Sequence, residues 1–335
     1  MRPDGAPGQT RSGVTERPGP PSLVAVVVTH NRLAQLQITI ARLLASPARE
    51  LAAVVVVDNA STDGTWRWLT DQSGPRLVTR RCDRNIGGAG GFELGIGIAA
   101  ERFDPDWLVV MDDDARPEPG ALAAFHARPR EASEAWAAAV YHPDGRICEI
   151  NRPSRNPFWH RDAFLAAARR GRAGFHIADS AYASAAPTAI DAASFVGLFL
   201  SRRALALAGR PEGRLFIYGD DVLYTLGLRQ AGGRIAFDPG LRFEHDYSTA
   251  RLHGGALRPL WKVYYHHRNL LLVYRRAAGP ALAPVLALIL PKWLMAARRY
   301  ASDRPAYLRL LRLAVADGLR GRLDRPHGEI LRLAG

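Results

Sequence analysis

The sequence predicts an α/β fold with a mostly parallel central sheet, followed by a helical, basic C-terminal segment. Two short β-branched runs, residues 23–28 and 51–57, flank a helical pattern. Strand, helix, strand is the opening of a parallel sheet, whose ligands bind at the carboxyl ends of the strands. Polar residues directly follow each run, and 47% hydrophobic content in 335 residues suffices for one large domain with an appendage.

The predicted elements follow in chain order. Residues 23–28 form a buried strand, and the next helix has apolar positions at Leu33, Leu36, Ile40, Leu43 and Leu44 before Pro47 ends it. Further strands are expected at 51–57, 77–79 and 107–111. The glycine-rich segment 85–91 is expected to lead into a helix at 92–100, so four polar segments converge on one rim of the sheet.

Beyond residue 121 the pattern is less regular. Residues 121–139 are predicted to be helical with interruptions, and residues 151–186 to be rich in loops. A strand at 193–200 and a helix at 202–207 follow. A second helix at 222–230 is ended by Gly232 and Gly233, and a strand is expected at 234–237.

Composition and pattern predict three parts: a disordered tail (1–22), an α/β domain (23–250) and a helical basic segment (251–335). The tail contains five prolines and four glycines and no run that resembles a signal-peptide core. Two cysteines, Cys82 and Cys148, are too few for a disulfide framework and lack metal-site spacing, which favours a reducing, cytoplasmic location.

Most of the formal charge of +13 lies in residues 251–335, where 16 Lys or Arg face 4 acids, a net charge of +12. Charge alone does not separate a nucleic-acid partner from an anionic membrane surface. The apolar stretch 281–297 contains Pro284, Pro291 and Lys292 and is short for a membrane span. Trp293 and two arginines suit an element in the membrane interface, and a core helix of a small helical unit is the equal alternative.

Three consecutive acids, Asp112, Asp113 and Asp114, stand at the end of the strand at 107–111. Their mutual repulsion is costly unless a cation or hydrogen bonds offset it, and oxygen ligands suit Mg²⁺ or Mn²⁺, which also bind phosphate oxygens. The alternative is a solvated turn that caps the next helix.

The glycine-rich segment lacks the Lys and Ser/Thr of a P-loop and does not follow the first strand, so neither ATP hydrolysis nor NAD binding is supported. Its glycines would let the backbone approach a ligand, with Asn85 beside it. Asp58 could accept a hydrogen bond from a uracil imide or a ribose hydroxyl, and it could equally form an Asx-turn. Arg32 suits a diphosphate.

Asp220 and Asp221 immediately precede a helix, so an N-cap explains one of them. The second is a candidate general base that removes a proton from a sugar hydroxyl. His245 follows Asp221 by 24 residues and an intervening strand, and its neutral imidazole could complete a Mn²⁺ site.

Together these residues resemble a known family. THNR at 29–32, VVDNASTDGT at 56–65, NIGGAGGF at 85–92, MDDD at 111–114, YGDD at 218–221 and EHD at 244–246 are similar to the motifs of family 2 inverting glycosyltransferases with the GT-A fold. Within that family the pattern resembles bacterial galactofuranosyltransferases, and it covers about residues 23–275. The YYHHRN run at 264–269 also resembles a signature of these enzymes.

The resemblance implies roles by position. The metal ligands would be Asp112, Asp114 and His245, and the catalytic base would be Asp221. The nucleotide-sugar site would comprise Thr29, Arg32, Asp58, Asn85, Gly87, Gly88, Asp113, His266 and Arg268. The acceptor would contact Trp159, Phe195 and Asp220.

The resemblance further implies Mn²⁺ or Mg²⁺ as cofactor, a UDP-sugar donor, and a glycan or lipid-linked acceptor in cell-envelope polysaccharide synthesis. We expect galactofuranose as the sugar and peripheral attachment to the inner face of the membrane. Galactan-polymerising members of the family have an additional N-terminal β-rich domain and a tryptophan pair at the acceptor site. This chain has about 22 residues before its first strand, and Phe195 and Val196 stand in place of the pair. Processive galactan synthesis is therefore not expected. A rhamnosyltransferase or another hexosyltransferase is the alternative, and a nonenzymatic nucleotide- or nucleic-acid-binding protein is the alternative of another class. No nucleic-acid motif stands out, so no nucleic-acid partner is expected.

Overall fold

The computed structural model describes residues 22–72, 74–246 and 256–335. The strands are β1 (Leu23–Thr29), β2 (Ala53–Asp58), β3 (Leu77–Arg81), β4 (Trp107–Asp112), β5 (Ala115–Pro117), β6 (Ala135–Tyr141), β7 (Thr188–Ile190), β8 (Leu198–Ser201) and β9 (Ile235–His245). The helices of the first 246 residues are α1 (Leu33–Leu44), α2 (Thr65–Asp71), α3 (Gly87–Phe103), α4 (Ala121–His126), α5 (Arg161–Arg170), α6 (Asp179–Tyr182), α7 (Arg202–Ala208) and α8 (Asp220–Gln230). The C-terminal helices are α9 (Lys262–Ala278), α10 (Leu282–Ala296), α11 (Arg304–Arg320) and α12 (His327–Ala334).

One mixed sheet organises the domain, with strand order β3-β2-β1-β4-β8-β6-β9-β5 and β7 paired to β9. The α/β class is confirmed, and the β1 to β4 half is parallel as predicted. The other half is not mostly parallel, because β8 lies antiparallel to β4 and β6, and β9 receives β5 and β7 antiparallel. The short strands β5 and β7 have no clear sequence signal.

Apolar side chains cover both faces of the sheet. Along β1, Val24, Val26 and Val28 belong to one apolar cluster, while Leu23, Ala25 and Val27 belong to the other. Helix α3 contributes to the first cluster and α1 to the second. This burial on both faces explains why the strands are continuous hydrophobic runs without alternation.

The prediction of a helix through residues 121–139 is wrong in its second half. Helix α4 ends at His126, and β6 begins at Ala135 and pairs with β8 and β9. Alanine favours helices intrinsically, but here tertiary pairing overrides propensity. Because Ala135, Ala137 and Ala139 face one apolar cluster and Trp136 the other, the segment follows the strand period of two.

The glycine-rich segment is also different from the prediction. It is the N-terminal part of α3, which begins at Gly87 and not at residue 92. A Cβ atom at Gly91 would lie 2.5 Å from Val28 Cγ1, and one at Gly95 would lie 2.5 Å from Val26 Cγ1. Several of the glycines therefore serve close packing of α3 on β1.

Other predicted segments also differ from the structure. Residues 151–186, expected to be rich in loops, contain α5 and α6. The strand expected at 193–200 is confined to β8, and the strand expected at 234–237 extends to His245 with a register shift opposite Ala138 and Ala139. Of the predicted tail, only Ser22 lies within the described residues, and its backbone N–H donates to Asp106 Oδ2 at 2.8 Å.

The C-terminal helices form an apolar cluster of their own, separate from the two clusters that cover the sheet. Helices α9, α11 and α12 contribute its buried members Tyr264, Tyr307, Leu310 and Ile330. Helix α10 has no buried residue, so it is not the core helix of this unit. The helical stretch Lys262–Arg320, which is interrupted at Gly279 and Ala301, is long and apolar enough to cross a membrane by length and composition, and 11% of its most apolar window is buried.

Candidate active site at the carboxyl ends of the strands

The three predicted metal ligands meet at one point. Asp112 ends β4, and β5 then pairs antiparallel with β9 so that Ala115 lies opposite His245. This pairing places His245 beside Asp114, with 3.2 Å between His245 Nε2 and Asp114 Oδ1. One ligand atom from each of Asp112, Asp114 and His245 lies within 4.8 Å of the other two. Two carboxylates and an imidazole at this spacing fit Mn²⁺ or Mg²⁺.

Asn151 orients the histidine, a contact that sequence analysis missed. The Oδ1 atom of Asn151 lies 2.7 Å from His245 Nδ1 and accepts a hydrogen bond from Cys148 Sγ at 3.0 Å. Because an amide oxygen only accepts, Nδ1 of His245 carries the proton and Nε2 faces the carboxylates. An asparagine in an irregular segment carries no sequence signal that would have identified this contact.

Burial sets the charges of the triplet. Burial followed by the charge of Asp114 raises the pKa of Asp112 to about 7, and burial raises the pKa of Asp113 to about 7 despite a hydrogen bond from Thr29. Burial would lower the pKa of His245, but its hydrogen bond with Asp114 raises it to about 10. The protonated imidazole therefore serves as the cation of the triad, and a bound divalent ion would replace its proton.

Thr29, the last residue of β1, and Arg32, which follows it, contact the triplet directly. The Thr29 hydroxyl is buried and donates to Asp113 Oδ2 at 2.7 Å, so Thr29 orients Asp113 and does not face a nucleotide as predicted. The Arg32 guanidinium forms an ion pair with Asp114 and lies 3.6 Å from Asp113 Oδ1. About a third of the Arg32 side chain is exposed, which leaves it accessible to an anionic ligand.

The expected nucleotide side is built around Asp58 at the end of β2. Asp58 Oδ1 accepts from the Ser61 backbone N–H at 3.0 Å, so the Asx-turn interpretation holds. Among the described residues, Oδ2 of Asp58 accepts no hydrogen bond, and the nearest cation is Arg81 Nε at 3.7 Å. A buried carboxylate oxygen without a donor is a vacant acceptor of the kind that an imide N–H would satisfy.

Asn59, which sequence analysis did not single out, forms hydrogen bonds that hold the start of α3 next to the end of β2. Its Nδ2 donates to Asn85 Oδ1 at 3.0 Å and to the Gly87 carbonyl at 2.9 Å, and its Oδ1 accepts from the Ile86 N–H at 2.8 Å. Asn85 Oδ1 also accepts from the Gly87 N–H at 2.8 Å. Asn85 is thus held by its oxygen at the exposed edge of the site.

The paired acids begin α8, but neither is the N-cap, which is Gly219 with φ of 77°. Asp221 Oδ1 accepts from the Val222 N–H at 2.7 Å, and the Phe195 N–H also lowers its pKa by hydrogen bonding. Burial outweighs these bonds and raises the pKa of Asp221 to about 6. Burial and then the Asp221 charge raise the pKa of Asp220 well above its ordinary value.

Comparison with known proteins agrees with this geometry. The model of the family described as Glycosyl transferase family 2 matches residues 24–183. Galactofuranosyltransferase GlfT1 of Mycobacterium tuberculosis is 30% identical over 220 residues, which cover 63% of this chain and 66% of the relative. GlfT1 of Mycolicibacterium smegmatis is 29% identical over 215 residues, or 62% of this chain and 65% of the relative.

The chain contains a family 2 glycosyltransferase domain. The matches span just under two thirds of the galactofuranosyltransferases. An N-acetylglucosaminyl-diphospho-decaprenol L-rhamnosyltransferase of M. tuberculosis is 26% identical over 270 residues, which cover 74% of this chain and 82% of the relative.

Solved structures show that the family 2 domain has the GT-A fold. GalNAc-T7 with UDP, GalNAc and Mn²⁺ superposes with a TM-score of 0.53 at 16% identity and covers 77% of this chain and 48% of that one. The mannosyltransferase PcManGT of Pyrobaculum calidifontis, in complex with GDP-Man and Mn²⁺, has a TM-score of 0.51 at 17% identity, with coverage of 94% and 79%.

Several residues that were expected to contact a ligand have other roles in the structure. Arg268 is fully buried and its Nη2 donates to the Leu215 carbonyl at 2.9 Å, so it supports protein backbone and does not contact a diphosphate. The Phe195 ring is buried against Phe92, with ring centres 5.1 Å apart, so only its backbone N–H serves the site, at Asp221. A Cβ atom at Gly87 would lie 2.0 Å from the Phe216 carbonyl oxygen, so packing requires glycine there.

The remaining expected contacts stay compatible with a ligand. Apart from its chain neighbours and its own helix backbone, no heavy atom of the described residues lies within 4 Å of a Cβ built on Gly88. His266 is half-buried, with its ring 5.7 Å from that of Tyr218, just before the paired acids. Trp159 is half-buried and packs on the same apolar cluster as Val222, which follows Asp221.

Proposed function

We propose that this protein is a metal-dependent inverting glycosyltransferase that moves galactofuranose from a UDP donor to a glycan or lipid-linked acceptor. The convergence of Asp112, Asp114 and His245 within 4.8 Å carries the proposal. The charge of Asp221 contributes to the raised pKa of Asp112, so base and triad share one electrostatic environment.

The residues at the carboxyl ends of the strands would bind different parts of the metal and the donor. Asp112, Asp114 and His245 would hold Mn²⁺ or Mg²⁺, with Asn151 keeping Nε2 of His245 toward the carboxylates. A bound divalent ion would neutralise charge on the departing diphosphate. Oδ2 of Asp58 would accept the imide N–H of the base, and Arg32 would contact the diphosphate. Thymine has the same imide N–H as uracil, so Asp58 alone does not choose between them.

Asp221 would act on the acceptor. Its carboxylate would take the proton of the acceptor hydroxyl while that oxygen attacks the anomeric carbon on the face opposite the diphosphate. A pKa raised to about 6 by burial makes this carboxylate a stronger base than an exposed aspartate while it stays ionised near neutral pH. Asp113, held by Thr29, would orient the ribose or sugar, with Asn85 at the exposed edge.

Transfer with an Asp221→Asn variant tests the base assignment. Loss of the base lowers kcat by a factor of about 100 to 10,000 in comparable cases, and we expect that loss here with UDP binding retained. The assay follows a radiolabelled sugar, with UDP binding in Mn²⁺ measured by calorimetry. The control is Asp144→Asn, which changes an exposed aspartate paired with Arg146. Near-normal turnover by Asp221→Asn would exclude Asp221 as the base.

A rhamnosyltransferase is the second candidate, because the rhamnosyltransferase relative aligns over more of the chain, 74% against 63%. Donor specificity separates the two. A panel of uridine and thymidine diphosphate sugars, including galactofuranose and rhamnose, identifies the donor by metal-dependent transfer. Preference for a rhamnose donor would replace galactofuranose in the proposal without changing the metal or base residues.

We also propose that α10 rests on the anionic inner face of the membrane, where a lipid-linked acceptor would be presented. Its exposed side chains include Pro284, Leu288, Leu294 and Met295, and exposed Lys292, Arg298 and Arg299 lie beside them. At about 1.5 Å per residue, the 15 residues of α10 are shorter than the hydrocarbon core of about 30 Å. Breaks in the helix on either side of α10 favour an element that lies in the interface.

A further inference from the structure

The segment that leads into the catalytic aspartate has an unusual backbone. Residues 214–219, termed the base loop, immediately precede Asp220 and Asp221. Phe216 has φ of 68° and Tyr218 has φ of 72°, in the left-handed region that residues other than glycine rarely adopt. Such strain persists only where surrounding contacts enforce it, and it concentrates at functional sites.

Asn269, from α9, supplies those contacts. Its Nδ2 lies 3.0 Å from the carbonyl oxygen of Leu215, 2.9 Å from that of Ile217 and 2.8 Å from that of Tyr218. Arg268 Nε donates to Asn269 Oδ1 at 2.8 Å, which turns the amide nitrogen toward these carbonyls. Asn269 is fully buried. The two N–H groups of one amide are therefore shared among three carbonyl groups of the base loop.

The base loop also joins two parts of the molecule. The Phe216 carbonyl accepts from the Ala89 N–H of α3 at 3.1 Å. On the other side, the Phe216 ring stacks on Tyr265 and His327, with ring centres 4.7 and 4.4 Å apart. The loop thus lies between the expected nucleotide side and the C-terminal helices, and a shift of the loop would move the start of α8.

We propose that Asn269 is a positioning residue for sugar transfer, holding the base loop in the conformation that directs Asp221 toward the acceptor hydroxyl. This inference rests on the proposed role of Asp221. Without the amide, the Ile217 and Tyr218 carbonyls lose the Asn269 donor, while the Leu215 carbonyl keeps its hydrogen bond from Arg268. Phe216 and Tyr218 can then relax to ordinary backbone angles. Asp221 then moves, while the metal triad on β4, β5 and β9 stays in place.

The test compares Asn269→Ala with Tyr264→Phe in the full chain. Tyr264 lies on the same helix and is equally buried. The Tyr264→Phe change removes a hydroxyl that donates to Asp317 Oδ2 at 2.8 Å and also contacts Arg268, while the Asn269 amide and its contacts with the base loop carbonyls stay in place. We expect Asn269→Ala to lower kcat by about 100-fold, the scale of a misplaced catalytic group, with little change in donor KM or in UDP binding with Mn²⁺. Tyr264→Phe should keep kcat within about twofold.

Backbone amide exchange provides a readout that needs no transfer activity. Residues 214–221 should exchange faster in Asn269→Ala than in wild type, and not in Tyr264→Phe. If the alanine variant does not fold, Asn269→Ser, which retains one donor, should show the same pattern to a smaller degree. The positioning role would be overturned if Asn269→Ala had the same kcat as wild type, or if Tyr264→Phe lost as much kcat as Asn269→Ala. Faster exchange of the base loop in Asn269→Ala, together with no sugar transfer by the wild-type protein, would instead refute the proposed function.

Discussion

Single side chains of the site differ in charge because their neighbours differ. Asp112 and Asp113 have their pKa raised to about 7 mainly by burial, whereas His245 and Arg32 hold the pKa of Asp114 below its ordinary value despite burial. Three adjacent acids are thus not equivalent. A divalent ion at the triad would favour the charged form of Asp112, as an opposite charge does for any buried carboxylate.

The pH dependence of transfer follows from Asp221. A general base works when deprotonated, so with a pKa of about 6 the rate should fall as pH drops below that value and level off above it. Because Asp112 and Asp113 also take up protons near pH 7, kcat must be measured at Mn²⁺ concentrations that saturate the enzyme at each pH. A kcat independent of pH between about 5 and 8 would contradict this assignment.

Residue types and their spacing predicted a metal site at the acidic triplet that His245 could complete, and the resemblance to the glycosyltransferases selected Asp112 and Asp114 as the other ligands. The supporting asparagines were not predictable. Asn151, Asn59 and Asn269 act through contacts with residues distant in sequence. Arg268 was placed at the diphosphate, but its complete burial is a property of helix packing that the YYHHRN run does not reveal.

At the scale of elements, long periodic segments were predicted well, and short or tertiary-dependent ones were not. Helices α1 and α8 begin within two residues of their expected positions, since their apolar period is clear. Strand β6 was taken for helix because alanine dominates it, and β5 is only three residues long. That short strand nevertheless brings His245 to Asp114.

Helix α10 yields a prediction at this scale. Leu288 and Leu294 are 67% and 58% exposed, so Leu288→Glu with Leu294→Glu should leave folding intact while removing apolar contact with lipid. We expect the double variant to float less with vesicles containing anionic lipid than wild type does. Leu331→Glu, at a 45% exposed position on α12, is the control and should float like wild type. Equal flotation of all three proteins would exclude α10 as the contact.

At the scale of the whole molecule, the C-terminal helices are joined to the catalytic domain and are not a separate appendage. Phe216 of the base loop packs on Tyr265 and His327, and Asn269 binds the base loop backbone. The predicted boundary at residue 250 lies within residues 247–255, outside the described residues. Composition indicated a basic unit but could not indicate that this unit holds the base loop, because that contact depends on how α9 packs against it.

The proposed function depends above all on a metal-dependent nucleotide-diphosphate site built from Asp112, Asp114 and His245. Calorimetric titration of UDP with Mn²⁺ and in EDTA tests it most directly, using wild type, His245→Ala and the control His142→Ala. We expect wild type and His142→Ala to bind UDP at least about tenfold more tightly with Mn²⁺ than in EDTA, and His245→Ala to lose this difference. UDP binding that is equally tight in EDTA, or a full Mn²⁺ effect in His245→Ala, would contradict it.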